Sequence, residues 1–229
     1  MTLTVDTERL RADIERTGEF GAVPVERGHA RTVRCGTDAN RRAREYLVEQ
    51  LRAADLTVEI DAVGNVAGTW CPSSADSAAE PVAVGSHLDS VPEGGIFDGP
   101  LGVYAGLETV RTLQDAGARP ARPITLVSFT EEEGGRFADG LLGSSVATGR
   151  RGVKEALELT DADGVTLDEA LTDTGFRGEG LLNPEGWTAW FELHVEQDTV
   201  LGSAAVPVGV VTTITGITHC EAHIEGEPN

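Results

Sequence analysis

Three apolar runs, each ending in residues that can bind or move charge, constrain this chain more than any other feature. The first is PVAV at 81–84, followed by His87 and Asp89. The second is ITLVSFT at 124–130, which runs into Glu131, Glu132 and Glu133. The third is WTAWFEL at 187–193, which ends in His194-Val195-Glu196-Gln197. Short apolar runs without alternation fit strands covered on both faces. A helical pattern at 101–113 separates the first from the second. Strands alternating with helices predict an α/β fold, with a mixed, mainly parallel sheet flanked by helices. In such sheets functional groups gather beyond the carboxyl ends of the strands.

The rest of the chain fills in around these runs. Residues 6–20 read as a surface helix through Leu10 and Ile14, and 21–36 as a Gly- and Arg-rich loop containing His29, a surface residue. Residues 37–54 read as a helix capped by Thr37 or Asp38, with Ala43, Tyr46, Leu47 and Leu51 on one face. Residues 56–60 and 64–70 read as strands joined by a turn at DAVGN. PSSADSAAE is a surface loop. Helical stretches are expected at 141–147, 153–159 and 167–171, with no chemistry in that region. From Val206 the alternation predicts β structure to the end, with His219 and His223 at the surface.

Composition narrows the function. The chain has 229 residues, 40% of them hydrophobic, enough for one large domain or one domain and part of another. No apolar run of about 18 residues is present to span a bilayer, and the polar N-terminus lacks a secretory signal. Acids outnumber bases 38 to 18, and Lys154 is the sole lysine. A net charge of −20 argues against nucleic acid and anionic membranes as partners. The acids interleave with regular apolar periodicity, so the expectation is a folded protein with an acidic surface adapted to high salt, not disorder. Cys35, Cys71 and Cys220 form no CxxC pair, which favours a reducing cytoplasm over a disulfide framework.

The three strand ends define the candidate chemistry. An imidazole and a carboxylate meeting at a strand end can hold a divalent cation, and the His87-x-Asp89 spacing supplies a carboxylate able to orient the ring. Asp98 comes later, in a Gly-rich turn. Three consecutive acids repel one another unless something neutralises them, and a dication does so. Taken singly, each group also suits a solvated loop. Neighbouring strands would bring two imidazoles and several carboxylates into one crevice, a ligand set suited to zinc, manganese or cobalt.

The segments GSHLDSVPEGGIFDGPLG, FTEEEGGRF and FELHVEQ, in that order, resemble the amidase and carbamoylase branch of the M20 metallopeptidase-like family. The strand Leu56-Thr57-Val58 and the turn Gly64-Asn65 extend the resemblance over the whole chain. Members include N-carbamoyl-L-amino-acid hydrolases, β-ureidopropionases and allantoate amidohydrolases. The resemblance implies a zinc-exopeptidase-like fold and a two-ion site, with zinc expected and manganese or cobalt as alternatives. It implies His87, Asp98 and His194 as ligands of one ion, with Asp98 bridging to a second held by Glu133. Asp89 would orient His87, Glu132 would be the general base, and Gln197 would approach the substrate. The implied reaction is hydrolysis of a linear amide or ureido C–N bond in a small molecule.

Departures from the family pattern shape the remaining expectations. Gly135 stands where the family has Ser, and Asp198 where it has Gly. Residues 1–212 are expected to be the N-terminal part of the catalytic domain, and 213–229 the first strand of a truncated lid and dimerisation domain. The family's substrate-binding His and the C-terminal His of the second ion have no counterpart in these residues. The fragment is accordingly expected to bind one zinc well, a second poorly, and to turn over little. The family member as a whole is expected to be a homodimer. Alternatives are an M20 dipeptidase or aminoacylase, against which His194 counts because the peptidase branch carries an acid there, and a non-catalytic metal-binding remnant or half of a split enzyme. No GxSxG supports a serine nucleophile.

Overall fold

In the computed structural model, which describes residues 3–137, 140–216, 223, 225 and 226, each long helix begins where the local sequence permits a start. Asp6 caps α1 (Thr7–Gly18), its carboxylate accepting from the amides of Glu8 and Arg9. β1 (Ala22–Val23) and β2 (Ala30–Arg31) then form a small antiparallel ribbon inside the segment that reads as loop. The Thr37 hydroxyl accepts from the Asn40 amide to start α2 (Asp38–Ala53). That helix buries Ala43, Leu47 and Leu51, and each leucine contributes roughly 1.5–3 kcal/mol by leaving water.

The main sheet comes next. β3 (Thr57–Ile60) and β4 (Val66–Trp70) pair antiparallel across the DAVGN turn. There Asp61 accepts from the amides of Val63 and Asn65, a side-chain substitute for backbone pairing. Then come β5 (Val82–His87), α3 (Pro100–Asp115) and β6 (Ile124–Phe129), the short helices α4 (Leu142–Ala147), α5 (Val153–Leu157) and α6 (Leu167–Asp173), and finally β7 (Ala189–Phe191). Spatial order is β3-β4-β6-β5-β7. β5 runs parallel to both β6 and β7, whereas β4 is antiparallel to β3 and β6. The sheet is therefore mixed, and β6 has a parallel neighbour on one side alone. The three strands with reactive ends share one direction, which puts those ends on one edge.

Helices α2 and α3 lie against this sheet, α2 on β3 and β4, α3 on β5 and β6. Polar groups tie the helices to one another. Asp13 of α1 accepts from the Tyr46 hydroxyl of α2 at 2.6 Å and pairs with Arg111 of α3 at 2.5 Å. Glu108 of α3, 1% exposed, accepts from Arg9 at 2.7 and 2.9 Å.

The structure departs from several expectations. His87 is the last residue of β5, not a residue beyond it, because its register partner Phe129 keeps it in the ladder. The third run forms just three strand residues, since pairing to β5 ends at Val84↔Phe191. The alternation after Val206 gives no strand over 206–216, where the side chains are exposed and no strand among the described residues pairs with it. His29 and His223 are exposed as expected, and His219 and Cys220 lie outside the described residues. The chain divides into two compact units, Met1–Val195 and Glu196–Asn229. In the second, the Glu196 carboxylate accepts from the amides of Leu201 and Gly202 in α7 (Val200–Ser203). No described helix is long and apolar enough to cross a membrane.

Candidate metal centre

The shared edge of β5, β6 and β7 carries the chemistry. His87, buried at the end of β5, has carboxylates on both sides of its ring. Its Nδ1 lies 3.1 Å from the Asp89 carbonyl and 3.6 Å from Asp89 Oδ1, and its Nε2 lies 3.7 Å from Asp98 Oδ1 and 3.5 Å from Glu132 Oε2. The tight turn leading into α3 holds Asp98 in place. Gly99, the residue before α3, has φ +80, and a Cβ there would stand 2.5 Å from the His87 carbonyl and 2.7 Å from its ring. Glycine alone fits that turn. Pro100 then occupies the first turn of α3, where its missing N–H costs nothing.

The acidic run is turned by its own first member. Glu131 sits at φ 50, a region unusual for a residue with a side chain. Its buried Oε1 accepts from the amides of Arg136 at 2.7 Å and Phe137 at 2.8 Å. One oxygen of its carboxylate is thus taken up by the loop backbone, while Glu132 and Glu133 stand beside His87. The same loop is fastened from behind. Asn65, fully buried, accepts from the Thr130 amide at 2.9 Å and donates to Asp61 at 2.8 Å and to the Gly143 carbonyl at 3.1 Å. Glu133 donates its amide to Asp89 Oδ2 at 3.0 Å, so Asp89 touches both the imidazole and the acidic loop.

From beyond β7 comes His194, whose Nε2 lies 3.3 Å from Asp98 Oδ1 and whose Nδ1 lies 2.7 Å from the Val195 carbonyl. Asp98 thereby has an imidazole on either side of one oxygen. Gln197 lies in the second compact unit. His87, Asp89, Asp98, Glu132, Glu133 and His194 all belong to the first, joined by these contacts.

Burial and mutual repulsion set the electrostatics. Burial lifts the Glu132 and Glu133 carboxyls above their ordinary values, and nearby acids add to this against the pull of His87. Burial pulls His87 down, but Asp89 and Asp98 beside it outweigh that and raise it to about 10. Arg31, in a segment whose sequence reads as loop, is fully buried behind Asp89, its Nη2 3.5 Å from the Asp89 carbonyl. Burial lowers it to about 10 against the opposing fields of Asp89, Asp98 and Glu133. Nothing local in GHARTVR signals that role. Asn65 is visible in the sequence as a turn residue, and its hold on Thr130 is not.

The donor set suits a divalent cation. Among the described residues, His87, Glu132 and Glu133 form the group whose donor atoms all lie within 4.8 Å of one another, and Asp98 and His194 stand outside it, linked to it pairwise. Two nitrogen or oxygen ligands of one zinc lie at most about 4.2 Å apart, twice the bond length. The His87–Glu132, His87–Asp98 and His194–Asp98 separations of 3.5, 3.7 and 3.3 Å fall inside that limit. Asp89 Oδ1, buried without a hydrogen-bond partner, faces the imidazole from the opposite side, where a carboxylate steadies a ligating ring.

The chain is similar to known proteins. The sequence profile of Peptidase family M28 matches residues 65–170. An N-carbamoyl-L-amino acid amidohydrolase of Geobacillus stearothermophilus is 40% identical over 226 residues, 97% of this chain and 54% of that protein. A ureidoglycolate hydrolase of Arabidopsis thaliana is 33% identical, over 98% of this chain and 48% of that protein. Among solved structures, a hydantoinase/carbamoylase family amidase from Burkholderia ambifaria is similar with a TM-score of 0.82 and 43% identity, covering 89% of this chain and 48% of that one. The chain spans about half the length of the curated relatives it matches.

Proposed function

We propose, from the premise that this chain has the M28/M20-like metallopeptidase fold and is homologous to an N-terminal portion of the carbamoylase-type amidohydrolases, that it holds the metal-ligating part of a hydrolase of linear amide or ureido C–N bonds. The carrying observation is the cluster of His87, Glu132 and Glu133 at one sheet edge, with Asp98 within 3.7 Å of His87 and 3.3 Å of His194. Because the chain spans half its relatives, the activity is assigned to the whole protein that contains these residues.

His87, Asp98 and His194 would hold one ion, and Asp98 with Glu133 would contribute to a second, zinc being the ion their nitrogen and oxygen donors suit. Bound there, a divalent ion supplies Lewis-acid polarisation of the scissile carbonyl and lowers the pKa of water. Asp89 orients the His87 ring through Nδ1. Glu132 would take a proton from the attacking water and return it to the departing nitrogen. Gln197 approaches the substrate amide. Residues 1–212 belong to the catalytic domain and 213–229 begin a lid and dimerisation domain, through which the whole protein forms a homodimer. The buried Cys35 and exposed Cys71, both free thiols, favour the cytoplasm.

Assay of the whole protein on N-carbamoyl-L-amino acids, ureidoglycolate, allantoate and dipeptides tests this reading, alongside Glu132→Gln. The expected result is ureido or amide hydrolysis, reduced about 100- to 10,000-fold by the substitution. Preferential dipeptide turnover, or wild-type turnover by the variant, would refute it.

A further inference from the structure

We infer that Ser86 and Glu192 form a positioning pair that fixes His194 beside Asp98. The inference rests on the proposed metal site and adds two residues to it. β7 pairs with β5 over Val82↔Ala189, Ala83↔Trp190 and Val84↔Phe191, and there the ladder stops. His194 is three residues further on, preceded by the exposed Glu192 and Leu193. An imidazole on an unpaired strand end needs another restraint to stay 3.3 Å from Asp98.

Two contacts supply it. The Ser86 hydroxyl, 3% exposed, donates to Glu192 Oε1 at 2.6 Å. A hydrogen bond to an ionised acceptor is among the stronger ones a side chain can make. Beside it, the Leu193 carbonyl rests against the first turn of α3, where a Cβ at Gly102 would stand 2.8 Å from that oxygen and 2.7 Å from Ser86 Cβ. The carboxylate and the close backbone approach together extend the β5–β7 contact past its last ladder pair. They tie residues 192–193 to β5, which carries His87, and to α3, which begins just after Asp98.

Glu192 thus acts through geometry, as an acceptor for Ser86, and not as another ligand. The charge of Glu192 also reaches Glu132, where it adds to the other acids that raise that carboxyl. The two roles must therefore be separated: Glu192→Gln retains an oxygen for the Ser86 hydroxyl while removing the negative charge.

Zinc affinity of the chain, measured by competition with a chromophoric chelator, tests this, with metal-free thermal midpoints recorded in parallel. Ser86→Ala and Glu192→Ala should each weaken zinc about tenfold, the lower end of what losing a supporting partner costs. The double variant should lose no more than either single one, because both remove the same bond. Glu192→Gln should stay within about twofold of the unaltered chain, the margin expected when the hydrogen bond survives. Undiminished affinity in both alanine variants overturns the positioning role alone, as does Glu192→Gln falling with Glu192→Ala. Should Ser86→Ala fail to fold, the exposed Glu192 variants decide. Absence of zinc binding by the unaltered chain would instead sink the metal reading, and the positioning role with it.

Discussion

The Nε2 of His194 lies 3.3 Å from Oδ1 of Asp98. One group comes from the end of a sheet-edge strand and the other from the loop before α3, and no local pattern links them. That oxygen also lies 3.7 Å from His87 Nε2, so Asp98 is the group through which the two imidazoles meet. Asp98→Asn, which keeps shape and loses charge, should weaken zinc binding by more than roughly 100-fold, beyond the range for losing an outer partner. Calorimetric titration gives the affinity, and circular dichroism should show an unchanged fold.

Gly99→Ala should perturb both the fold and the site. The added carbon meets the His87 carbonyl at 2.5 Å and its ring at 2.7 Å, at a backbone φ of +80 that side chains resist. Urea unfolding should show a loss of about 1–3 kcal/mol, the cost of a residue forced into a sparsely populated backbone region. Zinc affinity should fall with it, since His87 has to move. Wild-type values for both would contradict the packing described.

Acid should weaken the clamp between α1 and α3. Burial pushes Glu108 up, but the Arg9 guanidinium and the Asp6 amide more than offset it and hold the carboxyl below its ordinary value. A depressed carboxylate is stabilising above its unfolded pKa of about 4.3, and that contribution is lost as pH falls through the lower folded value. The stability that Glu108 contributes, read by urea titration as the difference between the unaltered chain and Glu108→Gln, should therefore shrink below about pH 4.3. Glu108→Gln should be less stable than the unaltered chain at pH 7, and the gap between the two should close in that acid range.

Salt should stabilise this protein. With a formal charge of −20, self-repulsion opposes the compact state until counterions screen it. The thermal midpoint should rise as KCl goes from low to molar concentration. A steady fall over that range would rule out adaptation to high salt.

Much of the fold is legible in the sequence because its signals are local. α2 is readable from Thr37 and the spacing of Ala43, Leu47 and Leu51, and β6 from an apolar run of strand length. The sequence overstates β7, since WTAWFEL is apolar beyond Phe191 but its pairing partner is not available there. It overstates the alternation over 206–216 for the same reason, as periodicity reports what a strand could present and not whether a neighbour accepts it. Resemblance sets Glu131 apart from Glu132 and Glu133, but its φ of 50 and its bonds to Arg136 and Phe137 come from loop closure that no triplet of acids encodes.

By itself the sequence determined where the long helices and the central strands lie and which side chains are candidates for metal-binding chemistry, because periodicity, caps and side-chain type act over a few neighbouring positions. Tertiary structure alone decided that β4 runs against β6, that Arg31 is buried behind the acids, and that Asn65 and Ser86 brace the loops bearing Glu132 and His194. Those outcomes depend on bonds between residues far apart in the chain, such as Asn65 to Thr130 and Ser86 to Glu192, whose partners are chosen only when the sheet assembles.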